Sequence, residues 1–447
     1  MTMGTGLLTD HYELTMLEAA LASGAADRRA VFEVFARRLP GGRRYGVVAG
    51  TARVLDALED FRFDDADLDF LRRVVDERTL AFLADYRFSG DVYGYREGEA
   101  FFPGSPIMVV ESTFAEAVLL ETVILSILNH DCAIASAASR MAHAAGDRPL
   151  IEMGSRRTHE VAAVAAARSA YLCGFASTSN LMAGRRYGVP TAGTAAHAFV
   201  LLHDSEKDAF RAQLDSLGHG TTLLIDTYDM AEAVRTAVEL AGPDLGAVRI
   251  DSGDLAVMAQ EVRQALDALG AEQTKIIVTG DLDEFAIAAL AVAPVDGYGV
   301  GTALVTGSGH PTASLVYKLV AREDAMGVMR PVAKRSVGKP SKGGRKWAYR
   351  RTDDGIATAE IVTGAPMETP RPDQTEQTEQ TDQAGRAERT EQIGDRPLLA
   401  ELVRGGEIVG REPLEAARRR HRSTLAELPL IAHSLSPGDP AVPTIFK

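Results

Sequence analysis

Cysteine is scarce: two in 447 residues, Cys132 and Cys173, in no metal-ligand spacing. That excludes a disulfide framework and suits a reducing compartment. No basic stretch leading into an apolar one opens the chain. No run of about 20 apolar residues offers a bilayer span, so no signal peptide and no membrane partner are expected. Positive charge is outnumbered, 48 Lys and Arg against 62 Asp and Glu, for a formal net charge of -14. This disfavours a nucleic-acid partner, and any anionic ligand needs local basic clusters working against the overall field. No GxxxxGK[ST] segment exists, which excludes nucleotide hydrolysis by a P-loop. What remains is an expected soluble, cytoplasmic protein.

What the chain does contain is enough apolar content, 46 % of residues, for two cores, and its length makes two domains the expectation. LLTDHYELTMLEAALASG reads as a helix capped at Thr9 or Asp10, with a stripe of Leu14, Leu17, Ala20 and Leu21 and a stop at Gly24. Tyr12 lies off that stripe, where a half-buried packing role is as natural as a functional one. A strand, a Pro40-Gly41-Gly42 turn rich in arginine and a second strand follow. Residues 51–86 carry helical patterning, 88–112 antiparallel strands, and 115–146 most simply a pair of buried helices.

From about residue 148 short strands and helices alternate. The strand candidates are PLIEMG, ASTSN, TTLLIDTYD, AVRIDSGD, TKIIVTGD and DGYGVGTALV. Such a series predicts parallel β/α units closing toward a barrel, with the chemistry at the C-terminal strand ends. Beyond residue 330 strands with basic loops return. A Thr/Glu/Gln-rich tract at roughly 367–395 has too little apolar surface to fold and is expected to be disordered. A hairpin and a closing helix end the chain and are expected to pack against the N-terminal region. The fold class is therefore α/β: an irregular β/α barrel over 126–325, plus a second α+β domain built from both chain ends, 1–125 and 326–447.

The middle of the chain carries the chemistry. In GVPTAGTAAHAFVLL, small residues leave room for a ligand around Thr194, and His197 precedes an apolar run. A histidine there can carry a proton, bind a metal or act as a nucleophile, and it can equally be a satisfied core residue. EMGSRRTHE places Arg156 and Arg157 just past a strand, suited to phosphate, or to a salt-bridged loop. RIDSGDL supplies Arg249, Asp251 and Asp254, and TGDLDE supplies Asp281. Carboxylates at strand ends hold Mg²⁺ or ribose hydroxyls, or merely cap helices, a reading that fits Asp281 well. Gly299, Gly301 and Thr302 form a turn whose N–H groups can cradle phosphate. Arginines, carboxylates and a glycine-rich cup at successive strand ends describe a site for a phosphorylated sugar. The paired acids followed by TTGGT that mark open-sheet phosphoribosyltransferases are absent.

TDHYELTM, EMGSRRTHE, GFASTSN, GTAAH, DTYD, RIDSGDL, TGDLDE and GVGT, in this order, resemble the nicotinate phosphoribosyltransferases. The resemblance covers residues 7 to 350 and resumes in the C-terminal helix; the tract at 367–395 departs from it. It implies a type II phosphoribosyltransferase fold, acting as a homodimer with active sites shared between subunits. The implied reaction joins nicotinate to phosphoribosyl pyrophosphate, coupled to ATP hydrolysis and formally classed as a ligase reaction, in NAD salvage. His197 resembles the histidine that ATP phosphorylates, with Asp226 of DTYD as the carboxylate orienting its ring. Thr194 matches a nicotinate contact, and Tyr12 an aromatic supplied by the partner subunit. Arg249 resembles a nicotinate or pyrophosphate ligand and Arg156 a pyrophosphate ligand. Asp251 and Asp281 would take ribose hydroxyls or Mg²⁺, and Gly301 with Thr302 the 5′-phosphate. Nicotinamide-using relatives carry Asp where this chain has Ser179; a carboxylate there would repel nicotinate, so Ser179 favours the acid. The alternatives are a nicotinamide- or other pyridine-using transferase, or a non-catalytic relative that binds phosphoribosyl ligands.

Overall fold

The structure, a computed structural model, describes residues 4–334, 341–367 and 394–447. The Thr/Glu/Gln tract lies outside them but for its end residues. Backbone contacts divide the chain into two compact units, Met1–Ala133 with Thr312–Lys447, and Ile134–Pro311.

The first unit is built on a seven-stranded sheet to which both chain ends contribute. Its order is Met329–Pro331, Leu315–Glu323, Arg29–Ala36, Met108–Thr113, Asp91–Tyr95, Leu399–Arg404 and Glu407–Ile408, and every neighbouring pair runs antiparallel. Threading late strands beside early ones makes the two ends one folding unit. Helix His11–Ser23 has Asp10 at its N-cap and stops at Gly24, whose φ of 72° a glycine adopts without steric cost. Leu14, Leu17, Ala20 and Leu21 are buried, as their spacing requires. They join a core that includes Phe32, Phe61, Tyr95, Val110, Leu128 and Tyr317. The strand Arg29–Ala36 alternates apolar and polar in sequence, yet all but its first residue is buried. The Lys346 ammonium, 2.7 Å away, offsets only part of the cost of burying Glu33, and burial still pushes its carboxyl up. A second sheet orders Gly394–Pro397, Trp347–Asp353, Ile356–Thr363 and Thr444–Phe446.

Helix Glu121–Ala145 is long and apolar enough to cross a bilayer by length and composition alone, although Asn129, His130, Asp131 and Arg140 interrupt its apolar residues. Two features mark it as an interior helix: 67 % of its most apolar window is buried, and it carries Asp131 and Arg140 in ion pairs at 2.7 and 3.0 Å.

The second unit holds six parallel strands: β1 Leu150–Glu152, β2 Ser177–Thr178, β3 Thr222–Leu224, β4 Ala247–Ile250, β5 Lys275–Gly280 and β6 Gly297–Val300. Each falls inside one of the six strand candidates. Their order is β2-β1-β6-β5-β4-β3, a curled half-barrel in which β2 and β3 form the two edges. Helices Met230–Ala241 and Leu255–Ala268 return the chain between consecutive strands, burying Val234, Ala237, Val262 and Leu266. Parallel strands covered in this way leave one rim, at their C-terminal ends, for loops that need not pack.

Candidate active site

The loops after all six strands converge on that rim. β4 and β5 are hydrogen-bonded neighbours, so the residues just past them, Asp251 and Asp281, share one edge of the sheet. β6 lies on the other side of β5 and delivers Gly301 and Thr302, while β1 beside it delivers Ser155, Arg156 and Arg157. Gly299 allows the close approach of β5: a Cβ there would sit 2.4 Å from Cγ2 of Thr279 and 2.8 Å from Sδ of Met153.

A cavity of about 490 Å³ occupies the rim. It is lined by Arg156, Ser179, Thr194, His197, Arg249, Asp251, Asp281, Gly301 and Thr302. The sequence had nominated each of these from separate motifs. Ser155, Arg157 and Thr279 line it as well. Thr279 was overlooked although it immediately precedes Gly280-Asp281, because a threonine inside a strand reads as an ordinary β-former.

Arg249 is buried in β4 and donates from Nη1 to the hydroxyl of Thr194, which ties the GTAAH loop to the sheet. Its Nε has no partner among the described residues. Burial pulls its guanidinium below the ordinary value; the carboxylates of Asp251 and Asp226 oppose this, while Arg156 reinforces it. A cation so held, with donor capacity to spare, is prepared for an anion.

His197 opens the short helix His197–Leu202 and is partly exposed to the cavity. Its Nδ1 shares a hydrogen bond with the Thr227 hydroxyl at 3.1 Å. Its Nε2 faces two carboxylates, Oδ1 of Asp226 and Oδ2 of Asp251, each at 3.9 Å. Asp226 is fixed through its other oxygen, which accepts from the Asp251 N–H and the Ser252 hydroxyl, both at 2.9 Å. Its Oδ1 is buried and unpartnered among the described residues. Thr227 carries the direct bond to the ring; DTYD had pointed to the carboxylate alone. The apolar run after His197 is less buried than its composition suggests: Val200 is buried, but Leu201 and Leu202 are 60 % and 78 % exposed.

The helix-cap reading of Asp281 is overturned, because the cap of the following helix is Asp283, which accepts from the N–H groups of Phe285 and Ala286 at 3.0 and 2.8 Å. Asp254, by contrast, does cap Leu255–Ala268. Glu152 at the end of β1 is buried and accepts from the Thr178 hydroxyl and the Gly154 N–H. Burial pushes its carboxyl up despite those bonds, and the network fixes the loop that carries Ser179. Tyr12 belongs to the other compact unit and is 45 % exposed. Partial burial, with Glu121 and Glu13 beside it, pushes its hydroxyl up.

Among the described residues no group of three or more His, Cys, Asp and Glu side chains is arranged to hold a metal ion alone. Mg²⁺ does not require one, since it commonly binds through one or two carboxylates, substrate phosphates and water. Asp281, and the Asp251 oxygen not taken up by the Thr279 hydroxyl, fit that donor set.

Comparison with known proteins follows the same outline. Residues 7–129 match the family model of the nicotinate phosphoribosyltransferase N-terminal domain, and residues 149–360 that of the nicotinate phosphoribosyltransferase family. The chain is 56 % identical over 450 residues to the nicotinate phosphoribosyltransferase pncB1 of Mycobacterium tuberculosis (strain ATCC 25618 / H37Rv), covering 98 % of this chain and 94 % of the relative. It is 39 % identical over 357 residues to the nicotinate phosphoribosyltransferase of Bacillus subtilis (strain 168), covering 77 % and 72 %. The crystal structure of human nicotinic acid phosphoribosyltransferase superposes with a TM-score of 0.81 at 26 % identity, covering 98 % of this chain and 97 % of that one.

Proposed function

The chain belongs to the nicotinate phosphoribosyltransferase family, and from that premise we propose how its strand-end cavity works. The enzyme joins nicotinate to phosphoribosyl pyrophosphate, giving nicotinate mononucleotide and pyrophosphate, a step of NAD salvage. One observation supports placing the reaction here: residues from five strand ends and the GTAAH loop, each suited to a different part of these substrates, line the same 490 Å³.

In this reading Gly301 and Thr302 receive the 5′-phosphate, and Arg156 the pyrophosphate. Thr194 and Arg249 meet nicotinate as a unit, since the guanidinium already holds the hydroxyl. The C1–O bond breaks with its electron pair leaving on pyrophosphate, while the lone pair of the pyridine nitrogen forms the new bond to C1. The transition state is oxocarbenium-like, so catalysis consists of charge on the leaving group and alignment of the nitrogen. Asp251 and Asp281 hold ribose hydroxyls, and they are the residues that would hold a Mg²⁺ ion, whose positive charge would favour departure of the pyrophosphate. Ser179 presents no charge to the carboxylate of nicotinate, as selection of the acid over the amide requires.

ATP drives the reaction by phosphorylating His197. Two carboxylates facing Nε2 favour the tautomer that keeps the proton there, so the lone pair lies on Nδ1, the nitrogen touched by Thr227. Once the Thr227 hydroxyl gives up its bond to that lone pair, the lone pair attacks the γ-phosphorus and ADP leaves. The Nε2 proton stays on the ring beside the carboxylates. Tyr12 comes from the partner of a homodimer to stack on the pyridine ring, and the enzyme works in the cytoplasm.

Steady-state assays with nicotinate, nicotinamide and quinolinate test the substrate assignment. Nicotinate alone should be turned over efficiently. Arg249→Ala should lose about 100-fold or more in kcat/KM for nicotinate, the cost of removing a buried charged contact. Unaltered kinetics in that variant would remove the cavity from the reaction.

A further inference from the structure

The unit built from both chain ends contains a cavity of about 940 Å³, nearly twice the volume at the strand ends. None of its lining residues belongs to the strand-end cavity, and the reaction proposed above assigns it nothing.

Its walls combine aromatic rings with cations. The Arg345 guanidinium lies 3.9 Å from the ring centre of Trp347 and 4.9 Å from that of Tyr93. It also donates to Glu111 at 2.8 Å and to the Lys346 carbonyl at 2.6 Å, so it is locked and largely neutralised. Lys346 is likewise consumed by Glu33. These pairs build the wall. Lys342 differs: it is exposed, its ammonium sits 3.3 Å from the ring centre of Phe446, and no carboxylate pairs with it among the described residues. In a chain of net charge -14, an unneutralised cation held over an aromatic face at a cavity edge favours an anion.

The occupant must also have a flat, apolar body. Half-buried Met329 contributes apolar surface beside the rings, over a floor in which Val31, Ala321 and Val362 are buried. A bare phosphate would leave that surface wet, and the volume lies within the roughly 300–1,000 Å³ usual for small-molecule sites. We propose that this cavity is a second ligand site, for a nucleoside phosphate, with its base against Phe446 and Trp347 and its phosphate at Lys342.

Trp347 is the only tryptophan of the chain, so its fluorescence reports on this cavity alone. The full-length protein is titrated with AMP, nicotinate mononucleotide and inorganic phosphate under selective tryptophan excitation. The expected result is a saturable change with the nucleotides and none with phosphate. Lys342→Glu and Phe446→Ala should each raise the apparent Kd at least about tenfold, the scale of one lost charge or stacking contact. Arg249→Ala, which disables the strand-end cavity, should leave the titration unchanged. Absence of a saturable signal, an equal response to inorganic phosphate, or loss of the signal in Arg249→Ala would each overturn the proposal. Because Lys342 is exposed, Lys342→Glu is expected to fold normally. An unchanged Tm with unchanged nucleotide affinity in that variant would also overturn it.

Discussion

At His197 the two ring nitrogens face different chemistry, a hydroxyl on Nδ1 and a pair of carboxylates near Nε2. If the Thr227 hydroxyl aligns the attacking nitrogen, Thr227→Val should slow labelling by γ-labelled ATP about tenfold, the value of one positioning hydrogen bond. Thr227→Ser should restore it, and binding of phosphoribosyl pyrophosphate by calorimetry should not move. Equal labelling rates in Thr227→Val and the wild type would assign the contact to packing. Ser179 gives a second test: Ser179→Asp places a carboxylate at the cavity and should cut kcat/KM for nicotinate about 10- to 100-fold. An unchanged value would show that Ser179 does not face the acid. Asp226 was named only through the DTYD motif of the resemblance. Thr227 was not named, because which side chain of DTYD reaches the ring depends on how the loop after β3 turns.

Among the elements, the segment after β5 separates two carboxylates that look alike in sequence. Asp283 caps helix Glu284–Ala289, whereas Asp281 lines the cavity. Asp283→Ala should therefore cost about 1 kcal/mol of stability and little activity. Asp281→Asn should leave Tm nearly unchanged and lower turnover; the reverse pattern would exchange their roles. In helix His11–Ser23, Glu13 accepts from the Thr122 N–H at 3.0 Å and from the Thr9 hydroxyl, yet burial pushes its carboxyl up to about 7. The folded state thus holds this proton more tightly than the unfolded chain does. Its contribution to stability is full below the ordinary carboxylate range and is lost as pH rises toward 7. Glu13→Gln should flatten the fall in Tm between pH 5 and 8; an equally steep fall would show that Glu13 is not its source. All six parallel strands were legible, since short strand-like stretches, most of them ending in a polar cluster, alternate with helical patterns in this part of the chain. The burial of Glu33 was not, because its partner Lys346 is distant in sequence and alternation alone implies a wet face. The exposed face of Leu201 and Leu202 was hidden for a related reason: apolar composition does not say whether a helix has a neighbour on that side.

Across the whole molecule, the residues proposed to act together are divided between the two compact units, Tyr12 in one and His197 in the other. If a partner subunit supplies Tyr12, mixing Tyr12→Ala with His197→Ala, each inactive alone, should restore up to about a quarter of wild-type activity through mixed dimers. No recovery after subunit exchange would confine the site to one chain. The central claim is that strand ends scattered along the sequence form one cavity around a histidine that ATP phosphorylates. Its most direct test is intact-mass and peptide mass spectrometry after incubation with ATP. The account predicts one acid-labile phosphate per chain, carried by His197 and absent from His197→Ala. Phosphate found on another residue, or equally in His197→Ala, would contradict it.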